Sequence, residues 1–214
     1  AGGSPREAGE VVPQQDISGH GTAVAAIAAS SNPEVLLTGV APKADLLIVK
    51  MAQTEESDFP ATTQLLRGVT YAIRKSLELN KPLVINLSFG NTYGSHDGTS
   101  LLERYLDDVS NLGRISICVG MGNEGRSGGH TSGKVEERQK KTIELAVQER
   151  QTAFNIQIWK SYVDEIEISL ITPSGVTVGP FQEILGPQRF ILGQTQILLY
   201  YGEPSPYSTN QEIF

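Results

Sequence analysis

The hydrophobic positions follow two different periods along this chain. Up to about residue 125, apolar residues recur every three or four positions in two segments, which predicts helices over 62–79 and 100–112. An Ala-rich stretch predicts another helix from His20 to about Ser30. Short apolar runs predict buried strands at 44–49, 83–88 and 114–119. Because the helices alternate with strands, this part predicts an α/β fold, a parallel sheet with flanking helices.

After about residue 126 the period becomes 2, which is typical of strands with one buried face. The alternating runs lie at 141–147, 152–159, 165–171 and 190–201. Turn sequences separate them at Pro173-Ser-Gly175 and Leu185-Gly-Pro187. These alternating runs separated by turns predict an antiparallel β-sandwich. The last run reaches Phe214 in mid-pattern, so we expect a sandwich that is incomplete or closes with something outside this chain.

These patterns divide the chain into three parts. Residues 1–15 are rich in Gly, Pro and Gln and predict a loose lead-in. Residues 16–130 form the predicted α/β domain, and residues 131–214 the predicted β-sandwich. In α/β folds, functional groups gather at the carboxyl ends of the strands. Residues 88–90 and 122–125 fall at two such ends.

Composition excludes some classes of partner. The chain has 214 residues, of which 39% are hydrophobic and 19% charged, an ordinary balance for a globular protein. Its net charge of −7 argues against nucleic acid and an anionic membrane surface as partners. Neither an apolar run of about 18 residues nor a signal-peptide pattern appears. The single cysteine, Cys118, lies in an apolar run, so we expect a buried strand residue rather than a nucleophile.

One candidate for chemistry is the histidine in Asp16-Ile-Ser-Gly-His20-Gly21-Thr22. An imidazole at the start of a helix could act as a general base. The alternative is a histidine that only begins the helix. Two further segments bear on the choice: Ser88-Phe89-Gly90, after a predicted strand, and Gly122-Asn123-Glu124-Gly125, after the next. Taken alone, the first is an ordinary strand end and the second an ordinary turn.

These three segments, in this order, resemble the subtilisin-like serine proteases (subtilases), over about half of the chain. The resemblance implies that His20 is the general base of a Ser–His–Asp triad and that Asn123 donates to the oxyanion. It also implies that Ser88, Phe89 and Gly90 bind substrate, with the peptide pairing along the strand end.

The chain departs from the family pattern at two triad positions. Neither the triad aspartate nor the nucleophilic serine is present; Asp16 matches a structural acid close to the histidine. Gly98-Thr99-Ser100 resembles the nucleophile motif, but it precedes Asn123 and opens a helix. We therefore expect Ser100 or Thr99 to be a helix cap and Glu103 to complete a capping box.

No cofactor or metal is expected at the site. The loop 31–38 has the length of a calcium-binding loop in secreted subtilisins, so calcium is the less favoured alternative. Pro33 occupies the carboxamide ligand position and offers no side-chain oxygen. The acids Glu55, Glu56 and Asp58 indicate a solvated loop rather than a metal cluster.

The β region that follows Asn123 indicates which type of subtilase the chain resembles. A jelly-roll domain inserted there is similar to the clostridial spore-germination proteases, and so is the segment 88–98. In that type the inserted domain clamps the protease fold. The resemblance alone favours a spore-associated or extracellular location.

The sequence therefore predicts a segment of a serine endopeptidase that hydrolyses peptide bonds through an acyl-enzyme. The chain alone is expected to be inactive. Its partners would be a protein or peptide substrate and a propeptide or complementary chain that supplies the Asp and Ser. One alternative is an inactive pseudoprotease that acts as a scaffold or signalling protein. Another is a structural α/β domain whose motif matches are accidental.

Overall fold

A computed structural model describes residues 14–31, 38–51, 61–88, 90 and 92–214. The helices are α1 (His20–Ala29), α2 (Thr62–Glu78) and α3 (Leu101–Ser110). The strands are β1 (Leu83–Leu87), β2 (Ile115–Val119), β3 (Ile158–Ser161), β4 (Leu170–Ile171), β5 (Thr177–Val178), β6 (Gly186–Leu192), β7 (Thr195–Tyr201) and β8 (Asn210–Ile213). No helix among the described residues is long and apolar enough to cross a membrane.

The chain forms two compact units. The first comprises Ala1–Gly90 and Val109–Gly122, and the second Asn91–Asp108 and Asn123–Phe214. The domain limits 1–15, 16–130 and 131–214 stay predictions. The mixed α/β character predicted from the sequence is confirmed.

In the first unit, the end of α1 is tied to the segment that returns beside it. The N–H groups of Gly39, Val40 and Ala41 donate to the carbonyls of Ser30, Ile27 and Ala28 at 2.8, 3.1 and 2.8 Å. These bonds satisfy carbonyls that a helix end leaves without partners. A Cβ on residue 39 would lie 2.4 Å from the Ser30 nitrogen and 2.5 Å from the Ala29 nitrogen. Only glycine fits so close an approach.

Helix α2 has an apolar stripe along one side, which explains why this segment is helical. The buried side chains on it are Leu65, Val69, Ala72, Ile73 and Ser76, which recur every three or four residues and so lie on one face. The helix contacts β1. The predicted helix over 62–79 is confirmed, and so are the helices that begin at residues 20 and 100 to within a residue or two of each end.

Strands β1 and β2 form a parallel pair in register from Leu83 opposite Ile115 to Leu87 opposite Val119. The prediction of a parallel pair with α3 between its strands is confirmed. The prediction that residues 83–88 are buried on both faces is wrong, because burial alternates along β1 and Val84 is 70% exposed. Cys118 lies in β2 as predicted, but its side chain is exposed rather than buried.

The strand predicted at 44–49 does not form. Residues 44–49 have no ladder partner among the described residues, and Leu46 and Ile48 are 56% and 67% exposed. An apolar run becomes a strand only where a neighbouring strand accepts and donates its backbone hydrogen bonds.

The second unit contains an antiparallel sheet of four strands in the order β3-β8-β7-β6 and a separate antiparallel pair, β4-β5. Its core is a cluster of buried side chains with partly buried ones packed against it. The buried members are Phe181, Leu199, Tyr201 and Ile213, and the partly buried ones are Ile168, Leu170, Val178 and Phe190. Since Leu170 and Val178 come from β4 and β5, the small pair and the large sheet share one core.

The individual strands differ from the predicted runs. Residues 190–201 were expected as one run but form the end of β6, a turn at Gly193-Gln194 and β7. Gly193 has φ 60°, a conformation that glycine adopts without strain. Residues 186 and 187, predicted as part of a turn, are the first two residues of β6 instead, and 141–147 form no strand. The turn at 173–175 is confirmed, with the Gly175 N–H donating to the Thr172 carbonyl at 2.9 Å.

Candidate active site

Asp16 organises the start of α1. Its Oδ2 accepts hydrogen bonds from the Thr22 backbone N–H and hydroxyl at 2.7 and 2.8 Å. Its Oδ1 accepts from the Gly19 N–H at 3.0 Å and from the Ser18 hydroxyl at 3.2 Å. These bonds favour the charged carboxylate, the Thr22 N–H most, and lower the pKa of Asp16 to about 2. Asp16 therefore supplies the cap that Gly19, the residue before the helix, has no side chain to provide.

His20 is the first residue of α1. Its backbone N–H donates to the Ser18 hydroxyl at 3.2 Å. Two residues on, the Thr22 N–H is held by Asp16, so the backbone is anchored on both sides of the imidazole. The side chain itself is exposed. A fixed backbone beneath an accessible ring is what a general base requires.

Ser88 and Gly90 follow the carboxyl end of β1. The Ser88 hydroxyl oxygen accepts a hydrogen bond from the Asn86 side-chain amide at 2.8 Å. Gly90 is exposed, and a Cβ built there would meet no atom within 4 Å. Packing against the described residues therefore does not require glycine at 90, and these residues leave the space beside it open to another backbone. Phe89, the third predicted substrate-binding residue, lies outside the described residues.

Gly120 extends the parallel pairing one step beyond β2, since its N–H donates to the Leu87 carbonyl at 2.9 Å. A Cβ on Gly120 would lie 3.8 Å from the Ser88 Cα, so the two strand ends meet at one edge of the sheet. Asn123 comes three residues later, and its side chain is exposed. It precedes a tight turn in which the Glu124 carbonyl accepts from the Ser127 N–H at 3.0 Å.

Ser100 is a helix cap. Its hydroxyl oxygen accepts from the Glu103 N–H at 3.2 Å, and the Glu103 carboxylate accepts from the Ser100 N–H at 3.0 Å. This reciprocal pair is the predicted capping box, which is confirmed.

Sequence reasoning missed the role of Asp97. Its carboxylate accepts from Ser95 at 2.5 Å, from the Thr99 N–H and hydroxyl at 3.0 and 2.6 Å, and from the Asn210 side-chain amide. These bonds, with Ser95 the largest cause, lower the pKa of Asp97 to about 2. The alternation of Ser, Asp and Thr indicates a local turn of this kind. The bond to Asn210 has no sequence signal because its partners lie 113 residues apart.

Two more contacts join the same segments. The Thr99 and Ser208 hydroxyl oxygens lie within hydrogen-bond distance at 3.2 Å, and the Arg104 guanidinium donates to the Tyr207 carbonyl at 2.8 Å. Residues 95–104 are thereby bound to residues 207–210 within the second unit.

Within the described ranges, no three or more His, Cys, Asp and Glu side chains gather in a group that could hold a metal ion. Pro33 in the predicted calcium loop, and the acids Glu55, Glu56 and Asp58, lie outside the described residues. Asp45, which is described, pairs with Lys81, and that pairing lowers the pKa of Asp45.

Comparison with known proteins identifies relatives on both sequence and structure. A family profile described as the subtilase family matches residues 4–172. The thermostable alkaline protease of Halalkalibacterium halodurans is 36% identical over 113 residues, which cover 53% of this chain and 28% of that protein. Subtilisin E of Bacillus subtilis is 34% identical over 127 residues, which cover 59% of this chain and 30% of that protein.

The structure is similar to that of the Clostridium perfringens CspB protease, with a TM-score of 0.80 and 32% sequence identity. That match covers 96% of this chain and 44% of the other, so it includes the antiparallel sheet as well as the α/β part. The chain spans less than a third of the two curated relatives and under half of the CspB protease.

Proposed function

The chain belongs to the subtilase family, and we propose that it is a segment of a serine endopeptidase that hydrolyses peptide bonds through an acyl-enzyme. The observation that carries this is the family match over residues 4–172, which includes the histidine, substrate and asparagine segments in family order. Its substrate would be a protein or peptide. The reaction proposed for these residues needs no cofactor.

In this proposal His20 is the general base. It takes the proton from the serine hydroxyl during attack on the peptide carbonyl, and it returns that proton to the leaving amine. The anchored backbone around His20 supports the role, because an imidazole that must serve two proton transfers needs one fixed position.

Asn123 would stabilise the tetrahedral intermediate. Its side-chain amide donates to the oxygen that becomes negative, and a backbone N–H beside the nucleophile donates to the same oxygen. A carboxamide suits this role because it carries no charge and its hydrogen bond strengthens as negative charge develops. The removal of such a donor from subtilisin itself costs about 3–4 kcal/mol of transition-state stabilisation.

Ser88, Phe89 and Gly90 would bind the substrate main chain, which adds itself to the sheet by β-pairing. The open space beside Gly90 supports this part of the proposal. Phe89 would form a pocket wall.

We further propose that residues 131–214 form the jelly-roll insertion. The four-stranded antiparallel sheet, the shared core with β4 and β5, and the match to the CspB protease over 96% of the chain support it. The triad aspartate and serine would come from other parts of the full-length protein or from a complementary chain.

The test compares the full-length protein with the 214-residue chain. With a fluorophosphonate probe and casein, the full-length protein is expected to label at one serine and to cleave. The 214-residue chain is expected to do neither. In the full-length protein, His20→Ala is expected to abolish labelling, and Asn123→Ala to lower kcat by about 10²–10³-fold.

Two results would contradict the proposal. Labelling at Ser100 would make the capping serine the nucleophile. A full-length sequence without Asp and Ser motifs would favour the pseudoprotease instead, which would bind peptides without cleaving them.

A further inference from the structure

The second unit contains a pair of histidines that the proposed protease site does not use. The rings of His96 and His130 lie beside each other, with centroids 5.6 Å apart and planes tilted by 36°. Both side chains are exposed. We propose that His96 and His130 together bind one divalent transition-metal ion, with water or an external ligand in the remaining positions.

The spacing of the rings fits a shared ion. With a metal–nitrogen bond of about 2.0–2.1 Å, the centre of a coordinating imidazole lies about 3.2 Å from the ion. Two such rings on a tetrahedral ion have centres about 5–6 Å apart. The observed 5.6 Å lies within that range, so the separation of the two ring centres is compatible with one shared ion.

The hydrogen bond of the His96 ring also fits a role as a metal ligand. Its Nε2 lies 3.0 Å from the Thr92 carbonyl oxygen. A carbonyl oxygen only accepts, so Nε2 carries a hydrogen, and in a neutral ring Nδ1 is then the nitrogen that can bind a metal. Histidines that bind metals usually donate their other N–H to a carbonyl or carboxylate in this way, which orients the ring and raises its basicity.

The backbone beneath His96 is held in place. His96 has φ 56°, between Gly94 and Gly98, which are also left-handed at 121° and 77°. The neighbouring Asp97 binds Ser95 and Thr99 locally and Asn210 in β8. The carboxylate of Asp97 is thus engaged in bracing the loop, and it is not needed as a ligand. Because the backbone at His96 is already held in place, less conformational entropy is lost when the side chain binds a metal.

The segment that carries His130 is a coil with its own local bonds. The Ser127 hydroxyl donates to the Glu124 carbonyl at 2.8 Å and accepts from the Gly129 N–H at 3.3 Å. A bound ion would therefore cross-link the loop 92–98 to the segment 124–130, both of which belong to the second unit.

The ligand chemistry selects the ion. Neutral imidazole nitrogens suit Zn²⁺, Co²⁺, Ni²⁺ and Cu²⁺, whereas Ca²⁺ and Mg²⁺ prefer oxygen. Two protein ligands leave positions open, so we expect binding that is weaker than at a closed structural zinc site. This inference is independent of the proposed protease function.

The chain offers a sharp test because it has only three histidines. The untagged chain is titrated with Co²⁺ while the imidazole resonances are followed by NMR. We expect broadening of the resonances of His96 and His130 at one equivalent of cobalt, and no broadening of the His20 resonance. Zn²⁺ is expected to compete with the cobalt and to raise the melting temperature.

Substitutions separate this site from adventitious binding. His96→Gln and His130→Gln are each expected to weaken Co²⁺ binding about tenfold or more, since even changes in supporting residues cost 10–100-fold. His20→Gln and Cys118→Ser are the matched controls and are expected to retain binding. Circular dichroism confirms that each variant is folded. Equal broadening of all three histidines, or unchanged binding in either single variant, would overturn the proposal.

Discussion

Replacement of Gly39 by alanine tests whether α1 is held by a close approach that only glycine permits. The new Cβ would lie 2.4 Å from the Ser30 nitrogen, 2.5 Å from the Ala29 nitrogen and 2.8 Å from the Ala26 carbonyl oxygen. All three neighbours are backbone atoms, so no side-chain rotation relieves the contact. The residue 38–41 segment must move away from the helix or the helix end must unwind.

The cost follows from the bonds that such a movement breaks. Three backbone hydrogen bonds join residues 39–41 to the end of α1, at 2.8, 3.1 and 2.8 Å. At about 0.5–1.5 kcal/mol each, the loss of all three amounts to about 1.5–4.5 kcal/mol. For a chain of this size, 1 kcal/mol corresponds to about 2–4 °C in Tm, so we expect Gly39→Ala to lower Tm by about 3–18 °C.

The assay is thermal unfolding followed by circular dichroism, with urea unfolding as a second measure. Gly90→Ala is the matched control, because a Cβ there meets no atom within 4 Å, and its Tm is expected to stay within about 1–2 °C of the parent. A Gly39→Ala chain with an unchanged Tm would refute the steric argument. An equal loss in both variants would refute it too, since the effect would then belong to glycine in general.

Three further predictions concern stability. The pKa values of Asp16 and Asp97 are each lowered from 3.8 to about 2. The two carboxylates therefore stabilise the folded chain fully above about pH 4, and this stabilisation is lost as the pH falls towards 2. Asp97→Asn should flatten the fall in Tm between about pH 4 and pH 2. Ser100→Ala removes the capping box and should cost about 1 kcal/mol in urea unfolding, which an unchanged midpoint would contradict. Leu199→Ala leaves a cavity in the buried cluster and should lower the free energy of unfolding by about 2–5 kcal/mol. The control Leu198→Ala, at a position 53% exposed, should lower it by about 0.5 kcal/mol or less. Equal effects of the two substitutions would argue against the core as described.

Local features were predictable because their causes lie within a few residues. The period of apolar positions located α2, and the Ser100–Glu103 box located the start of α3. The same holds for the turn at 173–175, whose hydrogen bonds close between neighbours. In each case the sequence contains both partners of the interaction within about one helical turn.

Burial was less predictable because it depends on what packs against a segment. Cys118 and Val84 occupy strands with apolar sequences, yet both side chains are exposed. The run 44–49 has strand composition but no described neighbour to pair with. Composition indicates that a segment could be buried, and only a neighbouring element makes it so.

For the candidate site, the sequence by itself determined the identities: His20 opens a helix, and Ser88, Gly90 and Asn123 follow strands, in family order. The tertiary structure decided which distant segments meet, such as Gly120 with Ser88 in the first unit and Asp97 with Asn210 in the second. The Gly39 approach to α1 and the pairing of His96 with His130 belong to the same class. The physical reason is chain separation, since contacts between distant residues depend on every element that folds between them, and local patterns carry no record of them.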